Sequence, residues 1–258
     1  MNSGRPITRC DLDVLYHRYN RRDRVYPDPL VFLYAYADIR DREIAGLLAS
    51  SLAYGRVAQI YKSLCRVLEK MGPSPLGFLK QSTRQSLTAA YGGFSHRFAT
   101  GGHLINMMLA IKDVLDHYGS IYGCFLSGMT VEADTVLPAL TRFVAAFTAG
   151  NAPGLGHLIP LPERGSACKR LNLYLRWMVR RDDVDPGGWE QVPASKLIIP
   201  LDVHMHRVGI RLGFTRRRQA DMLTALEITR GFSRILPEDP LRYDFTLCRM
   251  GMDGVSIL

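Results

Sequence analysis

The chain has 258 residues, 47% of them hydrophobic, and a formal net charge of +9, which allows one large core or two small lobes and excludes a disordered or fibrous chain. Its five cysteines (Cys10, Cys65, Cys124, Cys168 and Cys248) form no C-x-x-C pair, so neither a disulfide framework nor a zinc or iron–sulfur set is encoded. No apolar run approaches the roughly 18 residues of a membrane span and MNSGRPITRC has no apolar signal core, so a soluble cytoplasmic protein with no membrane partner is expected, and its basic excess favours polyanions.

Period-two alternation is nearly absent, whereas 3.6-residue periodicity recurs between glycine and proline punctuation; the expected class is all-α. In DREIAGLLASSLAYG, Ile44, Leu47, Leu48 and Leu52 share one face behind Asp41, which can cap, and Gly55 marks a break. Further helices are expected at about Val57 to Glu69, Gly102 to His117 and Thr135 to Phe147. The stretch from Phe147 to Gly165 is dense in glycine and proline, which places a boundary between two lobes of a single domain near residue 150. The second half reads as four helices: Ser166 to Arg181, Ser195 or Asp202 to Leu212, Arg216 to Phe232, and Pro240 to Met250. Thr215 is the candidate cap of the third, Gly213 stands where a left-handed C-cap is wanted, and Pro240 suits a first helical position.

Two segments can carry chemistry. In GSACKRLNLYLRWMVRR, Leu171, Tyr174, Leu175 and Met178 make a core face, and Lys169, Asn172, Arg176 and Arg180 make a second, polar stripe. Arg164, Lys169, Arg170, Arg176, Arg180 and Arg181 concentrate positive charge here, and the amides after Gly165 and Ser166 add an anion-binding helix end. A solvated basic helix face accounts for the same pattern. In LIIPLDVHMHRVGIRLG, the D-x-H-x-H set of Asp202, His204 and His206 could hold a metal, or Asp202 could cap a helix. The alternation of Val203, Met205, Val208 and Leu212 with His204, Arg207 and Arg211 fits a helix, on which residues two apart diverge by about 200°. That disfavours a shared metal, and none is expected. A capping carboxylate is also fixed in direction, so capping and chemistry are compatible.

The segment IPLDVHMHRVGIRLG resembles the P-x-D-x-H-x-x-R-x-x-x-R-x-G segment of the helix-hairpin-helix DNA glycosylases, the superfamily of endonuclease III. With DREIAGLLASSLAYGR, GSACKRLNLYLRWMVRRDDVDPGGW and DPLRYDFTLCRMG, the chain also resembles, over nearly its whole length, a bacterial family known as the domain of unknown function numbered 2400. The glycosylase resemblance implies a two-lobed HhH-GPD-like helical fold with a cleft between the lobes. It also implies a carboxylate, here Asp202, working with a lysine after an L-P-G-x-G hairpin, here Lys169 after LPERG. Glu163 replaces the first hairpin glycine, Lys169 stands four residues past Gly165 instead of two, and 33 residues separate Lys169 from Asp202. That spacing is similar to the archaeal 8-oxoguanine glycosylases, with their modified hairpin and long insertion. The four-cysteine motif of endonuclease III is missing from the sequence, so no cluster or other cofactor is expected.

The activity so implied is excision of an oxidised purine such as 8-oxoguanine from double-stranded DNA, with lyase cleavage of the strand, by a monomeric, nucleoid-associated enzyme. Lys169 is the expected nucleophile and Asp202 its proton acceptor or the stabiliser of developing positive charge. Arg164, Gly165, Ser166, Arg170 and His204 are the expected contacts to the DNA, and Tyr54, Arg56 and Gln59 of AYGRVAQI the expected contacts to the base. The alternatives are a non-catalytic nucleic-acid-binding protein of the same fold, and a metal-dependent hydrolase using Asp202, His204 and His206.

Overall fold

The computed structural model describes residues 7–149 and 154–253. The expected lobe boundary near 150 falls among residues 150–153, outside the described residues. Contacts divide the chain into two compact units, one of Met1–Val25, Asp134–Val136 and Pro162–Leu258, the other of Tyr26–Ala133 and Leu137–Leu161. Both are helical, and the two-residue strands of one hairpin are the only sheet among the described residues.

The chain opens with α1 (Arg9–Tyr19), started by a capping box in which Thr8 accepts from the Asp11 amide while the Asp11 carboxylate accepts from the Thr8 amide. The second unit follows: α2 (Ile39–Ser51), α3 (Val57–Met71), α4 (Pro75–Gln81), α5 (Arg84–Tyr91), strands β1 (Ser95–His96) and β2 (Ala99–Thr100), α6 (Gly101–Tyr118), α7 (Ile121–Leu126) and α8 (Leu137–Thr148). Helix α2 is buried on every side from Glu43 to Ser51, as a central helix must be. Its cap is Asp38 and not Asp41. Asp41 is buried and accepts from Ser74 Oγ at 3.0 Å and from the Leu76 amide at 2.8 Å, holding the start of α4. Glu43, also buried, accepts from the Ile121 amide at 3.0 Å, so a carboxylate meets the positive end of α7.

The first unit resumes with α9 (Lys169–Val179), α10 (Val203–Arg211), α11 (Met222–Ser233) and α12 (Asp244–Met252) around Tyr174, Trp177, Trp189, Phe232 and Tyr243. Two expected starts are corrected. Asp221 caps α11 through the Thr224 amide, because Thr215 turns its hydroxyl to Glu227 at 2.5 Å. Pro240 lies in a turn, and α12 begins at Asp244. Gly213 does take the left-handed conformation, with φ +71°.

The polar stripe of α9 is not a solvated face. Asn172, Arg176 and Arg180 are buried, and the two guanidiniums are enclosed by acids, Asp182 and Asp185 just beyond the helix and Asp239 and Asp244 remote in sequence. Arg176 reaches Asp244 at 2.5 Å and Asp185 at 3.2 Å, and Arg180 reaches Asp239 and Asp182 at 2.9 Å and also pairs with Asp185. Tyr16 of α1 donates to Asp182 at 2.9 Å, which anchors the N-terminal helix to this network. Burial opposes charge on Arg180, but Asp185, Asp239 and Asp182 more than offset it and hold the guanidinium protonated. Burial pushes Asp185 up to about 6 against the pull of Arg176 and Arg180.

Candidate functional site

Within the first unit, the chain reaches α9 through a single 3-10 turn, Pro162–Arg164, followed by Gly165 at φ +73°. The Gly165 carbonyl accepts from the Met222 amide at 3.2 Å, and Ser166 bridges to Asp221, so this turn is stitched to the start of α11. Ser166 Oγ accepts from the Cys168 amide at 3.2 Å. Cys168 is then the N-cap of α9 with φ +47°, a left-handed conformation that a non-glycine residue adopts at a cost of about 1 kcal/mol or more, and it offers no side-chain cap. Lys169 is the first residue of the helix. A cation there is unfavourable to the helix dipole, so helix stability does not account for its position.

The offset comes from α10. Asp202 is its N-cap: Oδ1 accepts from the Met205 amide at 2.7 Å, and Oδ2 lies 3.2 Å from Lys169 Nζ. The 33-residue separation is thereby closed, and two helix starts face each other through an amine and a carboxylate. The side chains are 41% and 28% exposed, so a reactant can reach them and the pair itself stabilises the fold by only about 0–1 kcal/mol.

Beneath the pair stands α12, whose role the sequence did not signal. Burial pushes the Asp244 carboxyl up, against the neighbouring Arg176, with the Asp202 charge adding to the push. Enclosure by protein atoms also drives the Cys248 thiol well up, helped by Asp244 and Asp202 and opposed by Arg176 and Lys169. His204 Nε2 contacts the Leu247 carbonyl at 2.8 Å, and its ring occupies the space a Cβ on Gly251 would need, so glycine there lets α10 and α12 close. His206 Nε2 contacts the Arg217 carbonyl at 2.8 Å. The two imidazoles thus turn to different backbone partners, and the described residues hold no group of three His, Cys, Asp or Glu side chains that could hold a metal ion.

Arg164, Gly165 and Ser166 are exposed on the turn before α9, and Arg170 is half-buried in its first turn. Arg216 and Arg218 are exposed in the segment leading to α11, which the turn adjoins. Arg176 and Arg180 do not contribute to this basic surface, because acids surround them. Tyr54, Arg56 and Gln59 belong to the second unit. Arg56 and Gln59 are exposed at the start of α3, while the Tyr54 hydroxyl donates to the His96 carbonyl at 3.0 Å and contacts His157 Nε2 at 2.7 Å.

The fold and site define a mostly helical protein with a lysine–aspartate pair, flanked by basic side chains, at the facing starts of two helices. The chain belongs to the family described as protein of unknown function (DUF2400), whose sequence model matches residues 28–253. No curated protein and no solved structure matches it. No described helix is long and apolar enough to cross a membrane.

Proposed function

We propose that the protein is a DNA base-excision glycosylase with lyase activity, acting on an oxidised purine such as 8-oxoguanine in double-stranded DNA, on an HhH-GPD-like fold. The observation that carries this reading is the approach of Lys169 Nζ to within 3.2 Å of Asp202 Oδ2, the two residues to which the glycosylase resemblance assigns the chemistry. The ammonium gives a proton to Asp202, and the freed lone pair attacks C1′ of a nucleotide turned out of the stack. The N–C1′ bond forms as the glycosidic bond breaks, its electrons leaving with the base. Ring opening gives an imine, from which β-elimination cuts the strand. The exposed Arg164 and the Gly165–Ser166 turn serve the flanking phosphates, beside Arg216 and Arg218.

The test is borohydride capture on duplexes carrying a panel of modified bases, 8-oxoguanine among them. A covalent protein–DNA adduct is expected with the wild type and none with Lys169→Gln. Absence of an adduct across the panel, or equal capture by Lys169→Gln, overturns the reading, and reversible duplex binding alone then marks a non-catalytic binding protein.

A further inference from the structure

Within the second unit, β1 and β2 pair Ser95 with Thr100 and His96 with Ala99, so the chain reverses through Arg97 and Phe98 alone. A two-residue hairpin turn with positive φ at its first position ordinarily takes glycine there. This one takes Arg97 at φ +53° and leaves Phe98 69% exposed. Backbone strain and an exposed aromatic ring both cost stability, and they meet at one tip.

The root of the hairpin is fixed. His96 is fully buried, with Nδ1 3.0 Å from Ser63 Oγ and Nε2 3.1 Å from the Tyr54 carbonyl. The tip is packed too: the Arg97 guanidinium lies 5.4 Å from the Phe98 ring centroid, and its side chain crosses Gly55 where a Cβ would come within 2.7 Å of Arg97 Cδ. Beside the hairpin lies a cavity of about 430 Å³ lined by Arg66, Glu69, Lys70, Tyr91 and Phe94 among others. Arg66 lies 5.9 Å from the Phe94 centroid and Lys70 5.4 Å from that of Tyr91. Arg66 also reaches the Ser95 carbonyl at 3.5 Å, so cavity and hairpin form one strip. Three cations face one acid along it, over aromatic rings, which is the pattern that tracks a phosphate backbone and stacks a base.

We propose that this strip binds unpaired nucleic acid, with a base stacked on Phe98 and neighbouring phosphates held by Arg97, Arg66 and Lys70. It shares a nucleic-acid partner with the reading above but requires nothing of Lys169 or Asp202. The probe is a short fluorescent oligothymidylate, followed by anisotropy. Phe98→Ala should weaken binding about fivefold to 150-fold, the range of one base–aromatic stack, with melting not lowered because the ring is mostly exposed, and Phe98→Trp should restore it. Arg66→Ala with Lys70→Ala should lower the salt slope by about 0.7 for each phosphate no longer held. Failure of the wild type to bind the oligonucleotide, unchanged affinity in Phe98→Ala, or equal competition by polyglutamate overturns the proposal. Borohydride capture by an unimpaired Phe98→Ala protein would leave the glycosylase reading standing alone, whereas Phe98-dependent binding without capture would leave only the strip.

Discussion

Replacing Arg180 with alanine tests whether the buried ionic network of the first unit holds that unit together. The side chain is 3% exposed and its guanidinium serves Asp239 at 2.9 Å, Asp182 at 2.9 Å and Asp185. Its removal leaves Asp185, itself fully buried, with Arg176 alone. Breaking a buried pair from one side costs about 3–5 kcal/mol, and for a chain of this size about 2–4 °C is lost per kcal/mol, giving a fall of roughly 6–20 °C in melting temperature. The loss has a pH signature. The folded pKa of Asp185, already about 6, lies above the usual 3.8, so this group contributes stability below the unfolded value and loses it as pH rises through the folded one. Loss of the Arg180 charge moves the folded value higher still, so the gap to wild type should be wider at pH 8 than at pH 6. Thermal melts at both pH values read this directly, and Arg180→Ala with Asp185→Asn should recover part of the loss. A single variant melting within about 2 °C of wild type at pH 8 would refute the reasoning, since that is less than 1 kcal/mol on the same scale.

The two oxygens of Asp202 can be separated by substitution. Asp202→Asn keeps an acceptor for the Met205 amide and should change stability by less than about 1 kcal/mol while abolishing borohydride capture, whereas Asp202→Ala should cost about 0.5–2 kcal/mol more because the cap is gone; equal melting of the two variants would contradict the capping role. The thiols should also sort themselves by environment. Burial pushes Cys168 up to about 11 and Cys124 up to about 12, so iodoacetamide at pH 8 should label the exposed Cys10 first, with Cys168 reacting only as pH climbs toward 11. Peptide mass spectrometry reads the order, and equal labelling of Cys168 and Cys10 in the folded protein would count against it.

Several amphipathic helices were legible in the sequence. Helices α3, α6, α8 and α10 lie within a few residues of the periodic runs that announce them, because burial of one face imposes the 3.6-residue pattern. Their starts were less so. Asp38 and Asp41 are both good caps by composition, and only the packing of α4 decides that Asp41 is spent elsewhere. The short helices α1, α4, α5 and α7 went unread, although Thr8, Ser74, Thr83 and Ser120 stand at their caps. Helices α4, α5 and α7 are too short for periodicity to rise above their surroundings, and α1 buries only Leu12, Tyr16 and Tyr19, too few to mark a face. Arg176 and Arg180 show a further limit: their spacing along α9 reads as a solvated stripe, and beside the nearby Asp182 and Asp185 the acids that enclose them are Asp239 and Asp244, which local pattern cannot pair with α9. For the candidate site, the resemblance indicated Lys169 and Asp202, while the helix expected at Pro240 to Met250 carried nothing that places it, as α12, beneath them.

The position of Lys169 argues for use rather than for stability. Its helix begins without a side-chain cap, on a cysteine in a strained conformation, and puts a cation at the positive end of the dipole. Each choice costs folding energy, and a serine or aspartate cap would have avoided two of them at once. The first helix of the unit tells the opposite story, since α1 carries a complete capping box. Among the described residues of this unit, Cys168 is the one non-glycine residue in the left-handed conformation, and it lies in the turn that presents Lys169 to Asp202. Asp202 meets them with a division of labour: Oδ1 remains committed to the Met205 amide, which fixes the carboxylate in direction, and Oδ2 is left aimed at the amine. A carboxylate serving only as a cap would need no lysine opposite, and a surface ion pair of this exposure repays little of the strain beside it. Local strain that yields no stability, beside a fixed and accessible amine–carboxylate pair, supports the chemistry proposed for Lys169 and Asp202.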